Sequence, residues 1–111
     1  MTEFYEQVKE RLMRYARINT ESDPHSTSVP TTSCQHDLAS VIYEELQEIG
    51  ATNVYYDKDT CVVYGSLEAN VKTGRAIGFV THMDTAPDAS GKDVKPWVLE
   101  NYDGNDIILN K

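Results

Sequence analysis

A chain of 111 residues has room for one modest core, and 40% hydrophobic with 25% charged residues is ordinary for a globular protein. Eighteen acidic residues against ten Lys and Arg give a net charge of -8, which repels phosphate backbones and anionic lipid surfaces. Nucleic acid and membrane are therefore excluded as expected partners, and the longest strongly apolar run, residues 76–80, is far short of a bilayer span.

The first element is expected to be an amphipathic helix from Thr2 to about Ile18, with Tyr5, Val8, Leu12 and Tyr15 on one apolar stripe. Glu3 and Glu6 near its start and Arg14 and Arg17 near its end suit the helix dipole. Residues 19–32 are rich in Ser, Thr, Asp and Pro and read as a long ordered loop, either functional or an inert surface segment. Thr32-x-x-Gln35 has the form of a capping box that opens a second helix. Leu38, Val41, Ile42, Leu46 and Ile49 form its expected buried face, and Gly50 suits the left-handed position just past its end.

Beyond Gly50 the pattern changes to strand chemistry. Residues 54–56, 61–67 and 76–81 are rich in Val, Ile, Tyr and Phe and are separated by Lys, Asp, Asn and Gly, predicting three strands. Residues 85–91 read as a loop, 97–99 as a short strand, 101–104 as a tight turn and 106–109 as a final strand. Helix, helix, strands is the opening of an α/β domain with two helices on a growing sheet. No signal peptide is visible after Met1, and Cys34 and Cys61 lack metal or redox spacing, so two reduced thiols and a cytoplasmic location are expected.

The chemistry concentrates where residues 76–80 run into Thr81-His-Met-Asp-Thr. In an extended chain His82 and Asp84, two apart, project to the same side. Imidazole is a good ligand for zinc, and a carboxylate on its other ring nitrogen fixes the tautomer and makes the ligand more basic. Asp84 capping the next turn, and His82 as an ordinary strand-end histidine, are the structural alternatives. His25 and His36 are expected to face water, and Asp23, Asp88 and Asp103 to be turn residues.

Thr81-His-Met-Asp-Thr-Ala-Pro-Asp88 resembles the first metal motif of the M20 family of metallopeptidases. The resemblance runs almost end to end, through Tyr15-Ala-Arg-Ile-Asn-Thr-Glu-Ser-Asp23, Ser28-Val-Pro-Thr-Thr32 and Leu46-Gln-Glu-Ile-Gly50. Val98-Leu-Glu-Asn-Tyr-Asp-Gly104 narrows it to the branch that removes the N-terminal residue from tripeptides. It implies the N-terminal portion of a zinc-peptidase (phosphorylase/hydrolase-like) domain, with two helices on a mixed sheet. It also implies a two-zinc site in which His82 ligates one metal and Asp84, counted among the catalytic residues, orients and polarises that imidazole.

The family's other metal ligands, its general-base Glu and its dimerising second domain are expected downstream of residues 1–111. One imidazole cannot hold a catalytic zinc that needs three protein ligands, so the 111 residues alone are expected to be inactive. A competing reading, from a different class, is a non-catalytic remnant or association module. In that reading an exposed sheet edge at residues 106–109 recruits a second copy.

Overall fold

The computed structural model describes residues 2–72 and 74–109. Its elements are α1 (Thr2–Tyr15), α2 (Gln35–Glu48), β1 (Thr52–Asp57) and β2 (Val62–Ser66).

Helix α1 closes at Tyr15, and tighter turn bonds, Arg17 N–H to Arg14 O and Ile18 N–H to Tyr15 O, carry the coil to the expected end. Its apolar stripe is uncovered: Tyr5, Val8 and Leu12 are 61%, 45% and 67% exposed. The expectation that both helices lie on the sheet is corrected, because only α2 packs extensively against the strands. Helix α1 is tied to α2 by charge instead. The Glu45 carboxylate accepts hydrogen bonds from Arg11 Nε at 3.1 Å and from the Tyr15 hydroxyl, and pairs with the Arg14 guanidinium. Periodicity shows that a helix has an apolar face, not what covers it.

Helix α2 opens two residues later than the capping box implied. Cys34 occupies the cap in helical geometry without a side-chain bond to the helix. The Thr32 hydroxyl, which the motif would spend on the helix, donates instead to the Glu21 carbonyl at 2.6 Å, while Gln35 Nε2 donates to both the Thr31 and Thr32 hydroxyls. Leu38 and Ala39 are buried against the sheet, and Ile49, expected on the same face, is exposed. The C-terminal end matches the sequence. Gly50 sits at φ +80°, its N–H bonds to Gln47 O, and the Ala51 N–H reaches back to Leu46 O at 2.9 Å. This paired return of bonds is the Schellman ending, and it needs a residue without a Cβ at the left-handed position.

Strands β1 and β2 form an antiparallel hairpin, with Tyr55 opposite Tyr64 and Asp57 opposite Val62. Asp57 shapes the connection by accepting the Asp59 N–H at 3.0 Å and the Thr60 hydroxyl at 2.7 Å. Cys61, just before β2, is buried, so the small core lies between α2 and this hairpin. The α/β reading holds.

Three of the expected strands do not form. Residues 76–81 join no ladder, and Ile77, Phe79 and Val80 are 82%, 93% and 101% exposed. Residues 97–99 and 106–109 likewise pair with nothing, so the edge strand invoked for self-association is absent among the described residues. Residues with strand chemistry become a strand only when a neighbour supplies the other half of the ladder. The radius of gyration, 17.2 Å, exceeds the roughly 13 Å of a compact domain of this length, as expected for a chain whose apolar segments lie uncovered. No helix among the described residues is long and apolar enough to cross a membrane.

Replacing Gly50 by Ala is expected to destabilise the fold by on the order of 1 kcal/mol, since the new Cβ meets no neighbour and the cost is purely that of a positive φ. Urea unfolding followed by circular dichroism measures it, and an unchanged midpoint would overturn the assignment of this helix ending.

Candidate active site

Thr85 fastens the second candidate residue to the rest of the molecule. Its N–H donates to Thr20 O at 3.0 Å, and its carbonyl accepts the Ser22 N–H at 3.0 Å and the Ser22 hydroxyl at 3.1 Å. Glu21 and Thr85 thereby form a parallel bridge, and Thr20, at the inner end of this contact, is buried. The Ser/Thr-rich loop anticipated at residues 19–32 is thus the wall against which the segment after His82 is laid. Its own bonds order it: the Asp23 N–H donates to the Thr31 hydroxyl and the His25 N–H to Asp23 Oδ1.

The structure brings the His82 and Asp84 side chains together, as their spacing implies. His82 Nδ1 lies 3.0 Å from Asp84 Oδ1. An ionised carboxylate only accepts hydrogen bonds, so a neutral ring making this contact carries its proton on Nδ1 and its lone pair on Nε2. The imidazole is 82% exposed and the carboxylate 40%, so the ring is neither wedged in the core nor cut off from a ligand approaching from solvent. Asp84 sits where two clefts meet. One, of about 230 Å³, also takes in His82, Thr81 and the buried Cys61, and the other, of about 420 Å³, runs along Ser22, Pro30, Thr31 and Thr60.

The chemistry of the donors fits a divalent metal at Nε2 with Asp84 behind it. It fits in part only: among the described residues no three His, Cys, Asp or Glu side chains converge on one point. His25 is exposed, as expected. His36 departs from expectation, because its Nδ1 contacts the Tyr56 hydroxyl on β1 and the ring is half-buried. Helical spacing could not reveal a partner on a strand twenty residues away. Asp23 and Asp103 act as turn residues, the latter accepting the Asn105 N–H, and Asp88 lies in a turn.

Glu21 and Gly91 also belong to this neighbourhood, although the sequence offered no motif for either. Gly91 N–H donates to Glu21 Oε2 at 3.1 Å. Burial pushes the Cys61 thiol up from its ordinary range, with the Tyr56 hydroxyl beside it partly offsetting the shift. The thiolate is the reactive form, so Cys61 is expected to alkylate several-fold more slowly than the half-buried Cys34 at pH 8, and to speed up as pH rises toward its pKa. Mass-spectrometric counting of labelled peptides against time measures this, and equal rates would contradict the burial of Cys61.

No protein-family model matches the chain. Among curated proteins it is similar to Peptidase T of Alkaliphilus oremlandii, 47% identical over 105 residues, and of Clostridium acetobutylicum, 48% identical over 107 residues. Peptidase T of Geobacillus kaustophilus is 47% identical over 107 residues. These alignments take in 92%, 96% and 96% of this chain, but only 25%, 26% and 26% of the relatives. The chain therefore spans about a quarter of the length of the proteins it matches.

Proposed function

From this near end-to-end similarity to Peptidase T, and with it assignment to a peptidase family, we propose that the chain supplies one ligand and its orienting carboxylate to a zinc aminopeptidase site of the M20 type. The reaction is release of the N-terminal residue of a tripeptide, leaving a free amino acid and a dipeptide. The observation that carries the proposal is the 3.0 Å contact between His82 Nδ1 and Asp84, with Nε2 open.

In this reading His82 holds zinc through Nε2, and Asp84 keeps the proton on Nδ1, fixes the ring plane and raises the basicity of the ligating nitrogen. Zinc, when bound, supplies Lewis acidity toward a peptide carbonyl. The remaining ligands and the proton-transfer group lie outside these 111 residues, which is consistent with the relatives' greater length and with the lack of a three-ligand cluster among the described residues. The uncovered apolar side chains of residues 76–80 agree with a segment whose neighbouring strands belong to the rest of a larger catalytic domain.

The same exposed side chains favour one other reading, a non-catalytic association module. Sedimentation equilibrium separates the two: self-association without peptide hydrolysis by the natural gene product supports the module.

The purified natural gene product is expected to cleave tripeptides, to lose activity on chelation and to regain it with zinc. Asp84→Ala is expected to lower activity or zinc affinity about 10- to 100-fold, the usual cost of losing a carboxylate behind a ligating histidine. The isolated 111 residues are expected to show no zinc-dependent cleavage. A full-strength Asp84→Ala enzyme would sink the role given to that carboxylate.

A further inference from the structure

We propose that Glu21 is a positioning residue for the His82–Asp84 pair, acting through Thr85 and Gly91; the inference rests on the reading of that pair as part of a hydrolytic site.

Glu21 and its two chain neighbours hold the segment that follows Asp84 at both ends. At the near end, the residues on either side of Glu21 hold both peptide groups of Thr85, the residue directly after Asp84. At the far end, the Glu21 carboxylate accepts the Gly91 N–H at 3.1 Å, across seventy residues of chain. The turn 85–91 is thereby closed on residues 20–22, with the Glu21 carboxylate holding its far end. Glu21 is itself fixed: its N–H donates to Asn19 Oδ1 at 3.2 Å, and its carbonyl accepts the Thr32 hydroxyl at 2.6 Å. The fit at the far end is close. A Cβ on Gly91 would lie 2.6 Å from Asn19 Oδ1 and 3.2 Å from Thr85 Oγ1, so a larger residue there has to displace the Asn19 side chain that accepts the Glu21 N–H.

The consequence for the site is geometric. The His82 ring is mostly solvent-exposed and the Asp84 carboxylate half-buried, and the ring has little packing to hold it. What limits the carboxylate's position is the backbone it hangs from, and that backbone is anchored one residue later by the Glu21 bridge. A bond from an ionised carboxylate to a backbone N–H is stronger than a neutral one, and the alternative for a half-buried N–H is to go without. Releasing Gly91 frees the turn and lets Asp84 drift from Nδ1.

Glu21 touches neither substrate nor metal in this arrangement, so its effect is expected on turnover. In the natural gene product Glu21→Ala is expected to lower kcat about tenfold, with KM changed less than twofold and zinc content unchanged. Glu21→Gln, whose amide oxygen still accepts the Gly91 N–H, is expected to restore most of the rate, and Gly91→Ala to reproduce the loss. An independent readout is the nitrogen chemical shifts of the His82 ring at fixed pH without metal. They are expected to move in Glu21→Ala and to stay in place in Glu21→Gln. If the wild-type protein cleaves no peptide, the reading of the site fails while the ring shifts still judge the positioning. Unchanged shifts in Glu21→Ala, or equal losses in the Ala and Gln variants that follow a lower melting temperature, overturn the proposal.

Discussion

The exchange of backbone hydrogen bonds between residues 20–22 and Thr85 is the constraint on which the candidate site depends. Without it the chain would be two helices, a hairpin and a long apolar-to-polar tail. With it the tail is brought back, across sixty-three residues, to the loop between the helices. Closing so long a loop costs entropy that grows only slowly with length, so a few well-made bonds beside a buried threonine can hold it. The clefts that meet at Asp84 exist because of this return: one wall comes from the early loop, the other from α2 and the start of β2.

Local signals were legible wherever the chain needs no distant partner. The Schellman ending at Gly50, the two helices, the hairpin strands and the shared side of His82 and Asp84 all follow from spacing within a few residues. Signals that depend on a partner misled. Thr32-x-x-Gln35 reads as a capping box, yet the Thr32 hydroxyl bonds to Glu21, eleven residues upstream. Residues 76–81 carry the composition of a buried strand, and the structure leaves them unpaired and bare. Glu21 and Gly91 could not be picked out at all, because an acid in a polar loop and a glycine in a turn have no pattern until the fold joins them.

The polar and apolar parts of the molecule therefore differ in completeness. Polar contacts are closed: among the described residues no buried side-chain nitrogen or oxygen lacks a partner, and Glu45 alone gathers three donors from α1. The apolar surface is not. Besides Cys61, the apolar residues Leu38 and Ala39 are buried, whereas Phe79, Val80, Ile108 and the stripe of α1 face outward. Burial of apolar surface is what normally outweighs the entropy of ordering a chain, so a fold with this balance is expected to gain stability from whatever covers those faces.

That asymmetry bears on how a hydrolytic site could be divided between segments. A metal site assembled from separate parts works only if each part presents its ligand already oriented, because a geometric error of an ångström weakens catalysis sharply. As the ligand proposed above, His82 would meet that requirement before any other is present: Asp84 lies 3.0 Å from its Nδ1, and Thr85, the next residue, is bonded on both sides to the early loop. The orientation is carried by polar contacts internal to these residues, and only the apolar covering is left for a neighbour. On the reading proposed above, a segment so built would contribute a preset imidazole, and whatever covers residues 76–80 would have only to bring the remaining ligands to it.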